Sequence, residues 1–421
     1  MQPRLRYDDV AWEKSEAIAD EWVRQFLEPD VLQSVGRFLV RHHCPGDAVE
    51  FSFLEKGAYN ISLQMKYKNV TTAVIHFPQP GATMFFEDPC IIMDYIDHDT
   101  NMYDALNTPG CPKDVRGTLD PGISEARLET LYREVASILL QLSRPCLPRI
   151  GSLDQVDDFI WKVTHRPLSM PMNTLVQLGS LPQSRLPTTT FDTTSSYFET
   201  LAELHIAHLL VARYLFRKLA RQHRLTEQSA SFDKGPFKLW CDDFCPANTL
   251  MKALKIVGVV DWEFTYAAPI EFSFAPPWWL LIKRSEYWPQ GLDNWCSEYE
   301  RRFQTFLSAM RYQEDKAIEQ GWLKSTQRLS GPMQNSWESG DFWIAYAARN
   351  NFAFDLIYWH KIDLRFFGPT SSPIDELERM KTRELAWDPN DYTKEVAGKG
   401  SEDNAANGDE IGGAEAGADD R

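Results

Sequence analysis

The chain has 421 residues, a formal net charge of −16 at pH 7, 43% hydrophobic residues and 14 tryptophans. This length allows two lobes of ordinary size with extensions, and the apolar content is ample for packed cores. The acidic balance argues against a nucleic-acid partner, because binding to phosphate backbones needs concentrated lysine and arginine, and it suits a cationic or neutral small molecule.

Neither a membrane segment nor secretion is indicated. No run of about eighteen apolar residues, the length that crosses a bilayer, is present. The first residues, MQPRLRYDDVAWEK, are charged and polar, unlike a signal peptide. The 7 cysteines include no CxxC pair, and Cys241 and Cys245 lack partners at metal-ligand spacing, so we interpret them as loop thiols. We expect a cytoplasmic protein with no membrane partner.

Residues 1–47 are predicted to form an N-terminal helical extension. Apolar residues recur at helical spacing up to Leu27, and Pro29 breaks this run before a second helical stretch that ends near Val40. We expect both helices to pack on the outside of the lobe that follows.

Residues 48–96 are predicted to form a small, β-rich lobe. Alternation of apolar and polar residues predicts strands at 49–53, 61–65 and 72–77, and an apolar run at 91–96 predicts a fourth. Gly57 separates the first two strands, as it would in a plain hairpin. Only the twelve residues Gln79–Cys90, which include two prolines and a glycine, separate the third strand from the fourth.

Residues 97–388 are predicted to form a large, mostly helical lobe. Apolar stripes predict helices at 102–106, 123–142, 299–310 and 342–359. Ser195–Arg224 contains neither glycine nor proline, which predicts a helical stretch longer than most in globular proteins. Arg166–Leu186 is punctuated by prolines and is predicted to be a surface excursion. Residues 389–421 are rich in Gly, Ala, Asp and Glu, a composition that predicts a disordered acidic tail.

The stretch Phe237–Pro269, FKLWCDDFCPANTLMKALKIVGVVDWEFTYAAP, carries the chemistry. A short strand leads to a polar loop with Asp243 and Asn248, and a hairpin then leads to Asp261. A kinase uses one Asp to accept the proton of a substrate hydroxyl, an Asn five residues later to bind metal, and a second Asp after the next strand to hold magnesium. The alternative is that Asp242 and Asp243 are ordinary turn acids and that Asp261 caps a strand.

The segments Asp243–Asn248 (D-x-x-P-x-N) and Asp261–Glu263 (D-W-E) resemble the aminoglycoside phosphotransferase-like family. These proteins are relatives of choline kinases with a protein-kinase-like fold, and this stretch looks like a subgroup typical of filamentous fungi. The family pattern is H-G-D-x-x-P-x-N, a hairpin, and an apolar run that ends in D-W-E. Here Cys241 stands at the His position and Asp242 at the Gly position.

The resemblance implies an α+β, two-lobe, kinase-like fold with a nucleotide site between residues 48–96 and 97–388. It implies that Asp243 is the catalytic base and that Asn248 and Asp261 are magnesium ligands. By the same resemblance, four small-lobe residues cover the ATP phosphates, and backbone groups near the hinge strand receive the adenine. The phosphate-covering residues are Gly57, Ala58, Tyr59 and Asn60, and the hinge residues are Asp94 and Ile96.

Two features depart from the family pattern. His76 occupies the position of a strand-three Lys or Arg that pairs with the nucleotide phosphates, and a neutral imidazole is a poor substitute for a permanent cation. The segment Gln79–Cys90 is too short for both a helix bearing a Glu and a further strand, so an αC-type helix is missing between Glu87 and Ile91. A second join, between Leu210 and Ala212, lacks the family's polar connector. Either these parts are lost or the sequence is translated from an incomplete gene model.

The sequence therefore predicts an ATP- and magnesium-dependent phosphotransferase that acts on a hydroxyl of a small molecule. The alternative, favoured by His76 and the missing helix, is a catalytically impaired, pseudokinase-like module that binds a nucleotide or another ligand. Asp341 and Asp355 are candidates for contacts to a cationic substrate, although a capping Asp explains each equally well. The sequence identifies neither the substrate nor an oligomeric state.

Overall fold

The computed structural model describes residues 9–43, 45–57, 60–79, 90–111, 117–177, 181–205, 210–226 and 229–368. The chain divides into a unit Met1–Phe367 and a unit Gly368–Arg421, and every element named below belongs to the first. The predicted tail 389–421 and the predicted phosphate-covering residues Ala58 and Tyr59 lie outside the described residues.

A four-stranded antiparallel sheet forms the β-rich part of the fold. Its strands, in spatial order, are β1 (Ala48–Lys56), β2 (Asn60–Tyr67), β3 (Thr72–Pro78) and β4 (Ile91–Asp94). The pleat of β2 buries the odd-numbered residues 61–67 and turns the even-numbered ones to the other face. The four strands predicted from the apolar pattern are confirmed.

Two N-terminal helices, α1 (Asp9–Phe26) and α2 (Pro29–His42), pack on the buried face of this sheet. Phe26 and Leu39 belong to the same apolar cluster as Ile61 and Ile75. Burial of side chains of this size contributes roughly 1.5–3 kcal/mol each. The two helices therefore supply the apolar cover that this face of the sheet needs.

The αC-type helix was predicted to be missing between β3 and β4. Residues 80–89 lie outside the described residues, and neither Gln79 nor Cys90, which border them, is helical. β4 pairs directly with β3, with Ile91 opposite His76. Gln79 donates from Nε2 to the carbonyl oxygens of Gly57, at 3.0 Å, and Asn60, at 2.7 Å, and so ties the end of β3 to the β1–β2 connection.

The remainder of the unit is mostly helical, with three small antiparallel sheets. The helices are α3 (Met102–Leu106), α4 (Glu125–Leu142), α5 (Met170–Gln177), α6 (Thr194–His205), α7 (Leu210–Arg221), α8 (Ser229–Phe232), α9 (Ile270–Phe274), α10 (Leu292–Glu319), α11 (Ser330–Ser339), α12 (Asp341–Arg349), α13 (Phe354–Ile357) and α14 (Asp363–Phe367). The strands are β5 (Thr100–Asn101), β6 (Ser152–Asp157), β7 (Ile160–His165), β8 (Lys238–Cys241), β9 (Thr249–Lys252), β10 (Lys255–Val259) and β11 (Thr265–Ala268). The predicted α+β fold class is confirmed, with the four-stranded sheet preceding the mostly helical part in the chain.

Two predictions for the large lobe are wrong. The stretch 195–224 is not one helix: α6 and α7 are separate, and they pack against each other through Phe198 and Phe216, whose ring centroids lie 6.2 Å apart. The sequence of this stretch has no residue that breaks a helix, but packing α6 against α7 buries the apolar faces of both helices. The stretch 166–186 is not a surface excursion, because α5 buries Met172 and Asn173.

Among the residues that the structure describes, no helix combines the length and apolar character that a membrane crossing requires.

Candidate active site

The loop after β8 fixes Asp243 through Asn248. The Asn248 amide Nδ2 donates to the Asp243 carboxylate Oδ2 at 2.8 Å and to the Asp243 carbonyl oxygen at 3.0 Å. A 3₁₀ turn at Pro246–Asn248 holds the five-residue spacing that makes this contact possible. Because the amide nitrogen faces Asp243, the amide oxygen of Asn248 remains the atom with which it could bind a metal. The predicted pairing of Asp243 and Asn248 in one site is thus seen.

The β9–β10 hairpin delivers Asp261 to the same region. Its two-residue turn places Ala253 and Leu254 at φ 48° and 62°, the left-handed conformation of a tight hairpin turn. Val260 N–H donates to the Asn248 carbonyl at 2.9 Å, one residue before Asp261. Asp261 itself has φ 61°, an uncommon conformation for a residue other than glycine. Such outliers cluster at functional sites, where surrounding contacts hold them in place.

The sheet contributes His76 to this site. His76 is only 8% exposed, and its Nε2 lies 3.7 Å from the Asp261 carboxylate Oδ1. Its other ring nitrogen, Nδ1, lies 3.0 Å from the hydroxyl of Ser62, which is directly opposite His76 on β2. Burial lowers the pKa of His76, and the Asp261 carboxylate only partly opposes this. A neutral imidazole therefore stands where the family resemblance implies a cation.

Glu263 completes the acidic side of the site. His76, Asp261 and Glu263 each offer one ligand atom, and these atoms lie within 4.8 Å of one another. Glu263 was not among the predicted site residues, although it belongs to the D-W-E motif. Spacing alone did not show that Glu263 shares a site with Asp261 and His76, because that contact requires the turn after Asp261.

The site raises the pKa values of its carboxyl groups. Burial raises the pKa of Asp243 to about 7, and the Asn248 hydrogen bond and the charge of Arg284 only partly oppose this. Burial and the neighbouring Asp261 and Asp243 raise the pKa of Glu263 to about 7. Burial also raises the pKa of Asp261, against the effects of His76 and a hydrogen bond from Asn60. Clustered, desolvated carboxyl groups of this kind make the region a candidate functional site.

Asp242 belongs to the protein interior and not to this cluster. Its carboxylate accepts hydrogen bonds from Trp240 Nε1 at 2.9 Å, Tyr266 Oη at 3.3 Å and the Met170 amide at 3.1 Å. The Arg349 guanidinium lies over the Trp240 ring, 4.7 Å from its centroid, and attracts the Asp242 charge. The residue at the family's Gly position is therefore a buried anchor that joins β8 and α5.

The remaining predicted nucleotide contacts are placed as follows. Gly57 and Asn60 lie at the β1–β2 connection, and the Asn60 side chain reaches Asp261. The Asp94 side chain is exposed and lies 3.3 Å from His43. The Ile96 carbonyl accepts a hydrogen bond from His98 at 2.8 Å, and Ile96 packs on Gly258, where an added Cβ would lie 2.5 Å from Ile96 Cδ1. The segment that follows β4 is thus held directly against β10 at Ile96.

The two substrate-contact candidates already have cationic partners. Asp341 lies 2.7 Å from Arg365, and Asp355 lies 3.8 Å from Arg213. Both pairs are largely buried, so each Asp has a structural partner inside the helical lobe.

The two loop thiols also have a structural setting. Burial raises the pKa of Cys241 and Cys245 to about 12, so both stay protonated at neutral pH. A metal prefers the thiolate, so the interpretation of these residues as loop thiols is consistent with the site.

The oxygen donors of the site fit a divalent cation such as the magnesium that the resemblance implies. Asp261, Glu263 and the Asn248 amide offer oxygen atoms, which are the ligands that Mg²⁺ prefers. Asp243 lies close enough to Asp261 for the two charges to raise the pKa of Asp243. A divalent cation would offset this repulsion.

We expect the metal-free protein to lose stability as the pH rises from about 4 to about 7. The pKa of Asp243, about 7 when folded, exceeds its ordinary value of 3.8. Its contribution is therefore fully present below the ordinary pKa and is lost as the pH rises through the folded value. Asp243→Asn, which is neutral at every pH, should flatten this decline. The free energy of unfolding, measured with urea and EDTA at about pH 5 and about pH 8, checks this; equal declines in the two proteins would contradict it.

No family model matches the chain, and no curated protein matches its sequence. Among solved structures, it is similar to a macrolide 2'-phosphotransferase from Brachybacterium faecium, at 12% identity and TM-score 0.37 over 82% of this chain and 100% of that one. It is also similar to an aminoglycoside phosphotransferase with bound ADP, at 12% identity and TM-score 0.34 over 73% of this chain and 98% of that one. A third is an aminoglycoside phosphotransferase in complex with AMP-PNP and hygromycin B, at 13% identity and TM-score 0.38 over 77% and 98%.

Proposed function

We propose that this protein is an ATP- and magnesium-dependent phosphotransferase of the aminoglycoside phosphotransferase type, which moves the γ-phosphoryl group to a hydroxyl of a small molecule. The observation that carries this proposal is the 2.8 Å hydrogen bond that fixes the Asp243 carboxylate to Asn248 beside Asp261 and Glu263. A positioned carboxylate next to a cation site is what phosphoryl transfer requires, because most of the catalysis is positioning and charge stabilisation.

In this proposal Asp243 orients the acceptor hydroxyl and takes its proton at Oδ1, which receives a long, weak contact from the Cys245 thiol at 3.9 Å, whereas Oδ2 accepts the 2.8 Å hydrogen bond from Asn248. Its pKa of about 7 suits a base that works near neutral pH. Asp261 and the Asn248 amide oxygen hold the magnesium, which when bound neutralises charge on the phosphates. Gly57 to Asn60 cover the phosphates, and the backbone from Asp94 to Ile96 receives the adenine.

The proposal extends to the organisation of the chain. Residues 1–47 form the helical extension, 48–96 the nucleotide-binding lobe, 97–388 the catalytic and substrate lobe, and 389–421 an acidic tail. Its place in the family subgroup typical of filamentous fungi rests on the two motifs around Asp243 and Asp261. We also propose that it acts in the cytoplasm on a small molecule, without nucleic-acid or membrane partners.

Magnesium and ATP together should raise the melting temperature, and ATP with EDTA should do so much less. Asp261 would hold the metal that neutralises the phosphates, so metal and nucleotide should bind as a unit and stabilise the folded state. Asp261→Asn should lose most of the shift, while Asp315→Asn, at an exposed surface ion pair, should keep it. Absence of a magnesium-dependent shift at saturating ATP would show that the nucleotide-site assignment is wrong.

A second candidate is a nucleotide-binding module without turnover. The observation that favours it is His76, buried and neutral where a phosphate-pairing cation is expected. Both candidate functions predict a thermal shift with magnesium and ATP, but only the phosphotransferase predicts turnover. ATP-dependent phosphorylation of any alcohol in a panel of small molecules, or an ATPase activity abolished by Asp243→Asn, would exclude the second.

A further inference from the structure

We propose that His76 is a metal ligand, and that the cation held by Asp261 and Glu263 is therefore a first-row transition metal such as Mn²⁺ in preference to Mg²⁺. This inference deepens the proposed function, since it concerns the metal of the same site. It rests on the placement of one imidazole and two carboxylates, which meet at the boundary between the sheet and the helical part of the chain.

The imidazole is buried and directed at the carboxylates. His76 is 8% exposed, and Nε2 lies 3.7 Å from Asp261 Oδ1, which is beyond hydrogen-bond distance. A metal between His76 and Asp261 would bind the Nε2 lone pair and the Asp261 carboxylate together, in place of this long contact.

Ser62 orients the ring for this role. Its hydroxyl lies 3.0 Å from Nδ1, and the antiparallel register of β2 and β3 holds Ser62 and His76 opposite each other. The Ser62 oxygen can accept the Nδ1 proton, which leaves the lone pair on Nε2, the nitrogen that faces Asp261. Metal-binding histidines are typically held in this way, with the second ring nitrogen donating to an oxygen of the protein.

The separations suit one shared ion. Two ligand atoms about 2.1 Å from one metal lie about 3 Å apart when adjacent and about 4.2 Å apart when opposite. The 3.7 Å between His76 Nε2 and Asp261 Oδ1 falls in this range, and all three ligand atoms lie within 4.8 Å of one another, so shifts of roughly 1–2 Å would close the site. Asp261 and Glu263 lie between β10 and β11, outside a strand, whereas His76 lies within the paired strand β3, so the carboxylates would make this adjustment.

The chemistry of the donors sets the preference. Magnesium favours oxygen ligands and keeps much of its water, whereas imidazole nitrogen favours transition metals, and Mn²⁺ accepts both nitrogen and carboxylate oxygen. A lysine or arginine at position 76 could not serve as a ligand at neutral pH, because it carries a permanent charge. At the position where the family resemblance implies a phosphate-binding cation, this chain would thus have a metal ligand, His76.

The test uses the full chain, freed of metal with EDTA, without nucleotide. Titration calorimetry with Mn²⁺ and with Mg²⁺ should give a Kd at least about 10-fold lower for Mn²⁺, and pulsed electron paramagnetic resonance of the Mn²⁺ complex should show coupling to a directly bound ¹⁴N nucleus. His76→Gln should remove the ¹⁴N coupling and most of the preference, because an amide offers oxygen only. Ser62→Ala should raise the Kd for Mn²⁺ about 10-fold.

His223→Gln is the matched control, because His223 Nδ1 also lies beside a serine, Ser195 at 2.9 Å, and an aspartate, Asp233 at 3.5 Å. His223→Gln should leave the ¹⁴N coupling and the Kd values for Mn²⁺ and Mg²⁺ unchanged. Equal affinity for the two metals, or a bound Mn²⁺ without ¹⁴N coupling in the unmutated chain, would overturn the inference, and this second measurement does not depend on any variant folding. A chain that shows the coupling but no ATP-dependent thermal shift would instead contradict the proposed function alone.

Discussion

Asp243→Asn should lower turnover by roughly 10²–10⁴-fold, the usual contribution of a positioned acid–base group. The asparagine keeps the size of the side chain and its place beside Asn248, but it cannot take the proton of an acceptor hydroxyl. The affinity for ATP should change little, because Asp261 and not Asp243 is the proposed metal ligand. Turnover of ATP with and without an acceptor, and nucleotide affinity by calorimetry, are the measurements.

Two controls accompany this variant. Asp315→Asn, which removes a carboxylate from a surface ion pair with Arg328, should leave turnover and nucleotide affinity unchanged. Circular dichroism should show that Asp243→Asn is folded, as expected from the removal of a buried charge. Turnover within about threefold of the unmutated protein would mean that Asp243 is not the base.

Asp242→Ala should reduce the free energy of unfolding by about 3–5 kcal/mol, because it leaves the buried Arg349 without its neighbouring charge. It also removes the acceptor from Trp240, Tyr266 and the Met170 amide, and each buried donor left unsatisfied costs about 1–3 kcal/mol. Urea denaturation at about pH 8 measures the loss. Per folded molecule, turnover should fall much less than in Asp243→Asn, since Asp243 and not Asp242 has the five-residue spacing to Asn248 that the motif requires.

Substitution of the two adjacent aspartates should therefore change the free energy of unfolding in opposite directions at about pH 8 in metal-free buffer. Asp243→Asn should stabilise the protein, because the ionised carboxylate is buried without a cation, whereas Asp242→Ala should destabilise it. Destabilisation by both variants, with similar losses of turnover, would mean that the roles of the two residues are not separate.

The sequence by itself determined the elements and the motif. Alternation at residues 49–53 and 61–65 predicts strands because side chains on a strand point to opposite faces, and the structure has β1 and β2 there. The spacing from Asp243 to Asn248 also predicts their meeting, since a contact over five residues depends on one local turn. What periodicity could not predict was the break between α6 and α7, because a stretch without glycine or proline carries no local signal for folding back.

Only the tertiary structure decided which side chains share the site. Asp242 and Asp243 are adjacent and chemically identical in the sequence, yet one meets Trp240, Tyr266 and Met170 while the other meets Asn248. His76 and Asp261 are far apart in the chain and lie 3.7 Å apart in the fold. Contacts of this range depend on how strands and helices pack, and local propensity does not encode that packing. The motif therefore predicted a magnesium site, and only the fold showed that an imidazole, that of His76, lies beside Asp261.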